Sequence, residues 1–343
     1  MKYGMSLRTL LEGWLDDAPD LPISGITQLP ARVRPGYAFV WSPFGADRQT
    51  TALNEARARG CVVILHDATS TDLPALGVPC VRVPGLSERL GEMASRYWAA
   101  PSDLMTVAAV TGTRGRAEVC GFLAQVWQRS CSGGGPAARN GSGSVTTLQS
   151  SSLPAPDVFS LNEALAACVD QGIDQAAVEV SPEALIQGRC QTLQVDLALI
   201  GGLGERMTND HAEKRLLTEF APRFSVINID DVGATGLVTT AAACTEMLTV
   251  GLSPRADVSA RVLTMNGQGM TLRLAGPWGE ATVRTELSGK ENAVNLLSTA
   301  AAVTLLGLDW VETCHHLAYL RPPARAHRTH AEGGMHVALE EAA

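Results

Sequence analysis

Val107-Ala108-Ala109-Val110-Thr111-Gly112-Thr113-Arg114-Gly115-Arg116-Ala117-Glu118 is the stretch whose reading decides the fold. The apolar run from Met105 to Val110 predicts a buried strand. Gly112 and Gly115 predict a tight turn, and the residues from about Ala117 to Gln128 predict an amphipathic helix. Strand, glycine turn and helix N-terminus in that order aim backbone N–H groups at a phosphate. Nucleotide-hydrolysing loops of this kind add a Lys that reaches the terminal phosphates and a Ser or Thr hydroxyl for Mg²⁺. Those two places hold Arg116 and Ala117 here, and Glu118 follows. Arg keeps the positive charge without the compact ammonium. Ala has no oxygen for a metal, and Glu suits the helix dipole but repels a triphosphate. The phosphate-binding candidates are Thr111, Gly112, Thr113, Gly115 and Arg116.

Outward from this stretch, strands and helices alternate. Residues 36–41, 61–65 and 80–83 read as strands, with helices over 5–15, 48–59 and 87–98, Ser87 being the expected N-cap of the last. These form a small α/β domain over 1–101. The second domain is expected over 102–325. Helices over 160–171, 182–188 and 211–221 alternate there with strands over 176–180, 193–201 and 224–229. Alternation of this kind implies parallel pairing and a doubly wound sheet. Residues 257–265, 270–274 and 281–287 alternate apolar with polar side chains and predict a small antiparallel sheet, followed by an apolar helix over 292–306. Ser and Gly dominate 130–152, which predicts a mobile loop. The His- and Arg-rich residues 326–343 predict a flexible tail.

The chain has 343 residues, 45% of them hydrophobic and 18% charged, the composition of an ordinary globular protein. Its net charge of −8 excludes bulk affinity for nucleic acid or anionic membranes. No apolar stretch approaches the ~20 residues of a membrane span, and no secretory leader precedes the first domain, so a cytoplasmic location is expected. None of the eight cysteines forms a CxxC pair. They read as small buried hydrophobes in a reducing compartment.

Several strings, in this order, then converge on one family: Val110-Thr111-Gly112-Thr113 with Gly115, Val169-Asp170-Gln171-Gly172, Glu179-Val180-Ser181, Lys214-Arg215-Leu216-Leu217, Asn228-Ile229-Asp230-Asp231, and Gly289, Asn292 and Asn295-Leu296-Leu297. From about residue 5 to residue 325 the chain resembles the Mur ligases of peptidoglycan synthesis, most closely the MurE type. The resemblance implies a small N-terminal α/β domain. A central domain follows, with a mostly parallel doubly wound sheet, a P-loop-like turn and a small antiparallel sheet. It also implies acyl-phosphate formation from ATP and an acid, then attack by an amine, with Mg²⁺ and a carbamylated lysine assisting. Glu179 falls on the family's metal-binding Glu, Lys214 on the carbamylated Lys, and Arg189 on an Arg that faces the substrate peptide. Each also has a plain reading, as a strand end, a solvated helix residue and a surface ion-pair partner respectively.

The departures are equally specific. The family's uridine-contacting Asp-Ser-Arg falls near Leu29-Pro30-Ala31, its substrate-loop Thr-Thr near Pro154-Ala155, its Ser-His on Pro182-Glu183, and its Thr-Asn-x-x-x-Asp-His on residues 201–207. The family's C-terminal domain has no counterpart beyond 326–343. On this balance the expected function is a catalytically inactive homologue acting as a scaffold or regulator. It would bind another protein or itself and use no metal and no cofactor, Glu179 and Lys214 being vestigial. The alternative is an ATP-dependent acid–amino acid ligase of altered specificity, using ATP and Mg²⁺. Other candidates carry less. Cys314-His315-His316 lacks a second ligand pair at metal spacing. His327, His330 and His336 with Arg325 and Arg328 read as a solvated end, and Asp230-Asp231 as a turn or a group near the nucleotide.

Overall fold

A computed structural model describes residues 4–41, 49–67, 77–132, 144–145, 157–186, 188–202, 211–231 and 233–322. They divide into two compact units, one drawn from residues 1–101 and 156–166, the other from 102–155 and 167–328. Most of the serine-rich loop expected over 130–152, the Pro154-Ala155 position, residues 203–207 and the whole tail from 326 lie outside the described residues.

The first unit contains β1 (Met5–Ser6), α1 (Leu7–Leu10), β2 (Pro22–Ile23), β3 (Gly25–Thr27), β4 (Tyr37–Trp41), α2 (Gln49–Ala58), β5 (Val63–Asp67), β6 (Cys80–Val83) and α3 (Leu86–Trp98). Strands β3-β4-β5-β6 form one parallel sheet, and β1 and β2 pair antiparallel. Successive strand residues point to opposite faces, and both faces are covered. Ala38, Val40, Val63 and Leu65 share a core with Leu7, Leu10, Met93 and Trp98, while Phe39, Trp41 and Ile64 share another with Leu53 and Ala56. A parallel sheet requires this two-sided burial. Two local expectations are corrected. The helix expected over 5–15 is a four-residue turn of helix, Leu7–Leu10, ended at Leu11. Helix α3 is entered through Gly85 at φ +65°, and Ser87 lies inside it facing Asp67 rather than capping it.

The second unit contains β7 (Thr106–Thr111), α4 (Arg116–Ser132), β8 (Ser144–Val145), the end of α5 (Val158–Asp170), whose residues up to Ala166 belong to the first unit, β9 (Gln175–Glu179), α6 (Pro182–Ile186), β10 (Leu197–Ile200), α7 (His211–Thr218), β11 (Phe224–Asn228), α8 (Ala234–Cys244), β12 (Glu246–Gly251), β13 (Val258–Asn266), β14 (Gly269–Gly276), β15 (Gly279–Thr285), α9 (Lys290–Leu305) and α10 (Trp310–Leu317). The start of α5, capped by Asp157 Oδ1 on the Ser160 N–H (2.7 Å), supplies Val158, Phe159 and Ala166 to the core of the first unit.

The nine strands form one sheet in the order β15-β14-β13-β12-β11-β10-β7-β9-β8. All pairs from β8 to β13 are parallel, and β13-β14-β15 continue the same sheet as an antiparallel meander. The expected doubly wound α/β sheet is present, and its antiparallel part extends the parallel one. Val110, Leu199, Val226 and Leu272 on one face pack with Phe122, Leu296, Ala300 and Val303 of α4 and α9. The register is what builds the site. Strand β7 lies between β9 and β10, with Val110 opposite Glu179 and Thr111 opposite Ile200. The carboxyl ends of three parallel strands thus meet at one edge, where ligands of open α/β sheets bind.

Candidate functional site

The turn between β7 and α4 is held open from below by backbone. Gly112 adopts φ +129° and Gly115 φ +75°, conformations that L side chains rarely adopt. A Cβ on Gly112 would stand 3.1 Å from the carbonyl carbon of Gly201, and one on Gly115 would stand 2.6 Å from Asn295 Oδ1 of α9. Both glycines are required by close approach as well as by dihedral angle. Three donors converge on the carbonyl of Gly202: Thr113 N–H (2.7 Å), Arg114 N–H (3.2 Å) and the Thr113 hydroxyl (2.8 Å). Gly201 N–H returns a bond to Thr111 O (2.9 Å). The outer arm of the turn is therefore pinned to the extension of β10. Val119 N–H to Gly115 O (2.9 Å) opens the α4 ladder, and the N–H groups of the first helical turn precede it. Such groups, with the helix dipole, favour negative charge at a helix N-terminus.

Arg116, the first residue of α4, turns its guanidinium onto the end of β9. Its Nε lies 3.0 Å from Glu179 Oε1, with the two side chains 23% and 18% exposed, so the pair is shielded from most screening. Burial pushes the Glu179 carboxyl above its ordinary range. Arg116 pulls it back by charge and hydrogen bond, and Glu118 pushes it further up. Thr111, at the last position of β7, is fully buried, and its hydroxyl has no hydrogen-bond partner among the described residues. Arg114 reaches Glu291 of α9 at 3.3 Å, but both are about three-quarters exposed and the contact adds little.

The structure brings Thr111, Gly112, Thr113, Gly115, Arg116 and Glu179 together. Arg189 and Lys214 belong to a neighbouring pair of elements. Arg189 follows α6, and Lys214 is half-buried on α7, which is tied to α6 by Arg215 Nη1 to Ile186 O (3.2 Å). Asp230 proves structural. Its carboxylate accepts from the N–H groups of Leu252 (2.6 Å) and Ser253 (3.1 Å), closing the loop after β12. Asp231 lies beside the turn's anchor, with Oδ2 3.7 Å from a Cβ built on Gly202. Cys314, His315 and His316 lie on α10. Burial raises the Cys314 thiol to about 12, His315 packs on Tyr319, and His316 faces Glu312 at 3.4 Å. Among the described residues no three His, Cys, Asp or Glu are grouped to hold a metal ion, and no helix is long and apolar enough to cross a membrane. Sequence reasoning missed Gly202 as the anchor and Asn295 as the wall of the turn. The signal for the first was the Gly201-Gly202 pair directly after an apolar strand.

A mostly parallel sheet with a glycine turn and a cation at one strand-to-helix junction defines the class of fold, an α/β domain with a P-loop-like turn. Residues 110–303 match the Mur ligase middle domain. The chain is 34% identical over 339 residues to the UDP-N-acetylmuramoyl-L-alanyl-D-glutamate–2,6-diaminopimelate ligase of Alkalilimnicola ehrlichii, covering 93% of this chain and 68% of that one. It is 32% identical over 336 residues to the protein of the same name from Xylella fastidiosa, covering 94% and 67%. A solved structure of a ligase of this name superposes with a TM-score of 0.75 at 22% identity, covering 93% of this chain and 67% of that one. The chain belongs to the Mur ligase family, and these relatives are of the MurE type.

The relatives overturn one expectation. Proteins about a third identical over nearly the whole chain are named as ligases, so the changes at the turn do not mark an inactive scaffold. The physical reason lies in the turn itself. Arg116 and Ala117 stand where the resemblance places a lysine and a hydroxyl, but the backbone cradle and a cation at the head of α4 are both in place.

Proposed function

We propose that the protein is an ATP-dependent ligase that joins a carboxylic acid to the amine of an amino acid. The observation that carries the reading is Arg116 held on Glu179 at the head of α4, directly behind the Gly112–Gly115 cradle. Membership of the Mur ligase family supplies the class of reaction. The substrate carboxylate attacks the terminal phosphorus of ATP, ADP leaves, and an acyl phosphate forms. The amine then attacks the acyl carbon and expels phosphate. The N–H groups at the start of α4 and the Arg116 guanidinium are placed to hold polyphosphate oxygens as negative charge shifts toward ADP. Thr111, Gly112, Thr113 and Gly115 shape that pocket. In this reading Arg189 contacts the acid substrate, and Lys214 lies on the same flank.

A protein-held Mg²⁺ fits these residues poorly. The Glu179 carboxylate is already paired with Arg116, and Ala117 offers no oxygen. No step above therefore runs through such an ion. The reading requires a compartment that contains ATP, the cytoplasm. The acid and amine in the relatives' names, UDP-N-acetylmuramoyl-L-alanyl-D-glutamate and 2,6-diaminopimelate, are the first pair to try. The test is ADP release dependent on both an acid and an amine. Release dependent on neither would defeat the proposal.

A further inference from the structure

We infer that Arg116 takes the place of a divalent cation in this site: its guanidinium, oriented by Glu179, neutralises that carboxylate and meets the incoming phosphate, so polyphosphate binding at the 112–116 turn needs no metal ion. The inference rests on the reading above that the turn receives a nucleotide's phosphates.

The geometry supports the substitution in four ways. First, Glu179 stands at the carboxyl end of β9, one strand from Thr111, where a carboxylate could otherwise hold a metal ion beside the turn. Second, the contact to it is made by Nε of Arg116, at 3.0 Å from Glu179 Oε1. The terminal amino groups of a guanidinium match phosphate oxygens as a planar fork. Third, a divalent ion placed against Glu179 would lie within a few ångströms of the guanidinium. The two cations would repel each other in a half-buried site, so they compete for one carboxylate. Fourth, the residue after Arg116 is alanine, which cannot complete a coordination shell, and the Thr111 hydroxyl immediately before Gly112 is buried without a partner among the described residues. Glu179 is then a positioning residue for Arg116.

The test is calorimetric titration of the full chain with ADP, in EDTA and again in excess Mg²⁺. The inference predicts dissociation constants that agree within about threefold between the two buffers. Binding that appears only with Mg²⁺ overturns the inference and leaves the nucleotide site standing. Absence of binding in both buffers overturns the inference and the ATP reading together. Arg116→Ala should weaken binding in EDTA by about tenfold or more, with the far-ultraviolet spectrum unchanged to show that it folds; undiminished binding counts against the inference. Arg116→Gln combined with Ala117→Ser removes the cation from Glu179 and supplies a hydroxyl. That variant should bind ADP several times more tightly with Mg²⁺ than with EDTA, and equal binding in both overturns the proposed exchange of cation for arginine.

Discussion

Replacing Gly112 by alanine isolates what the pinned turn contributes. At φ +129° an L side chain is strained whatever surrounds it, at roughly 1–3 kcal/mol. Gly112 carries a second term. The new Cβ would stand 3.1 Å from Gly201 C and 3.2 Å from the carbonyl oxygens of both Gly201 and Gly202. These are backbone atoms, so the end of β10 must shift by several tenths of an ångström. That shift loosens the three bonds to Gly202 O and the Gly201 N–H bond to Thr111 O. Losing one or two of them costs about 1 kcal/mol each. Gly279 provides the control. It sits in the same unit at φ +124° with nothing within 4 Å of where a Cβ would stand, so Gly279→Ala carries the strain alone. Gly112→Ala should therefore destabilise the second unit by about 2–5 kcal/mol, against about 1–3 kcal/mol for Gly279→Ala. At about 2–4 °C per kcal/mol for a unit of this size, the additional ~1–2 kcal/mol should separate the two melting points by about 2–8 °C. Differential scanning calorimetry reads this difference. Equal melting points for the two variants would refute the claim that close approach to β10, and not dihedral strain, demands glycine at 112.

Further outcomes follow from single contacts. Thr111→Val removes a buried hydroxyl without a partner and should leave the ligand-free protein as stable or up to about 1–2 kcal/mol more stable by urea unfolding, whereas a loss of stability would show that the hydroxyl is satisfied. Asp230→Ala strips the acceptor from Leu252 and Ser253 N–H and should cost about 1–3 kcal/mol in the same assay, with Asp230→Asn milder. Burial raises the Asp157 carboxyl above its unfolded value, chiefly by desolvation, so its contribution to stability is complete below the ordinary carboxylate range and is lost as pH rises through the folded-state value. The melting point of wild type relative to Asp157→Asn should accordingly fall as pH rises from the ordinary carboxylate range through the folded-state value, and a rise would reverse the assignment. Iodoacetamide at pH 8 should label the exposed Cys80 and Cys244 while sparing the buried Cys190 and Cys314, whose thiols are raised to about 12, as peptide mass mapping of the native protein would show.

Much of the fold was legible because its strands are short continuous apolar runs bounded by turn residues. Val107 to Val110, Leu197 to Ile200 and Phe224 to Ile227 are of this kind. Helix α8 and strand β12 left no such mark. Ala234–Cys244 mixes threonine, valine and alanine without an amphipathic stripe, and Glu246–Gly251 opens on a charged, exposed residue. Helix α10 also went unread; in the structure its cap, Asp309, accepts from the N–H groups of Val311 and Glu312. In the site, the glycines and Arg116 were visible because strand, turn and helix are contiguous. The Arg116–Glu179 pair was not, because it joins residues 63 positions apart and depends on β7 lying next to β9 in a register that no local pattern encodes. That hidden pair is also why a missing lysine read as a missing function. Sequence shows which group was lost, and only the folded sheet shows where its replacement points.

The most direct measurement is a reaction of the purified chain with ATP, UDP-N-acetylmuramoyl-L-alanyl-D-glutamate and 2,6-diaminopimelate, with nucleotides and products resolved by chromatography. The account predicts ADP, phosphate and a new amide in equal amounts, with all three suppressed together in Arg116→Ala. ADP formed without amide, or an amide yield untouched by loss of Arg116, would contradict it.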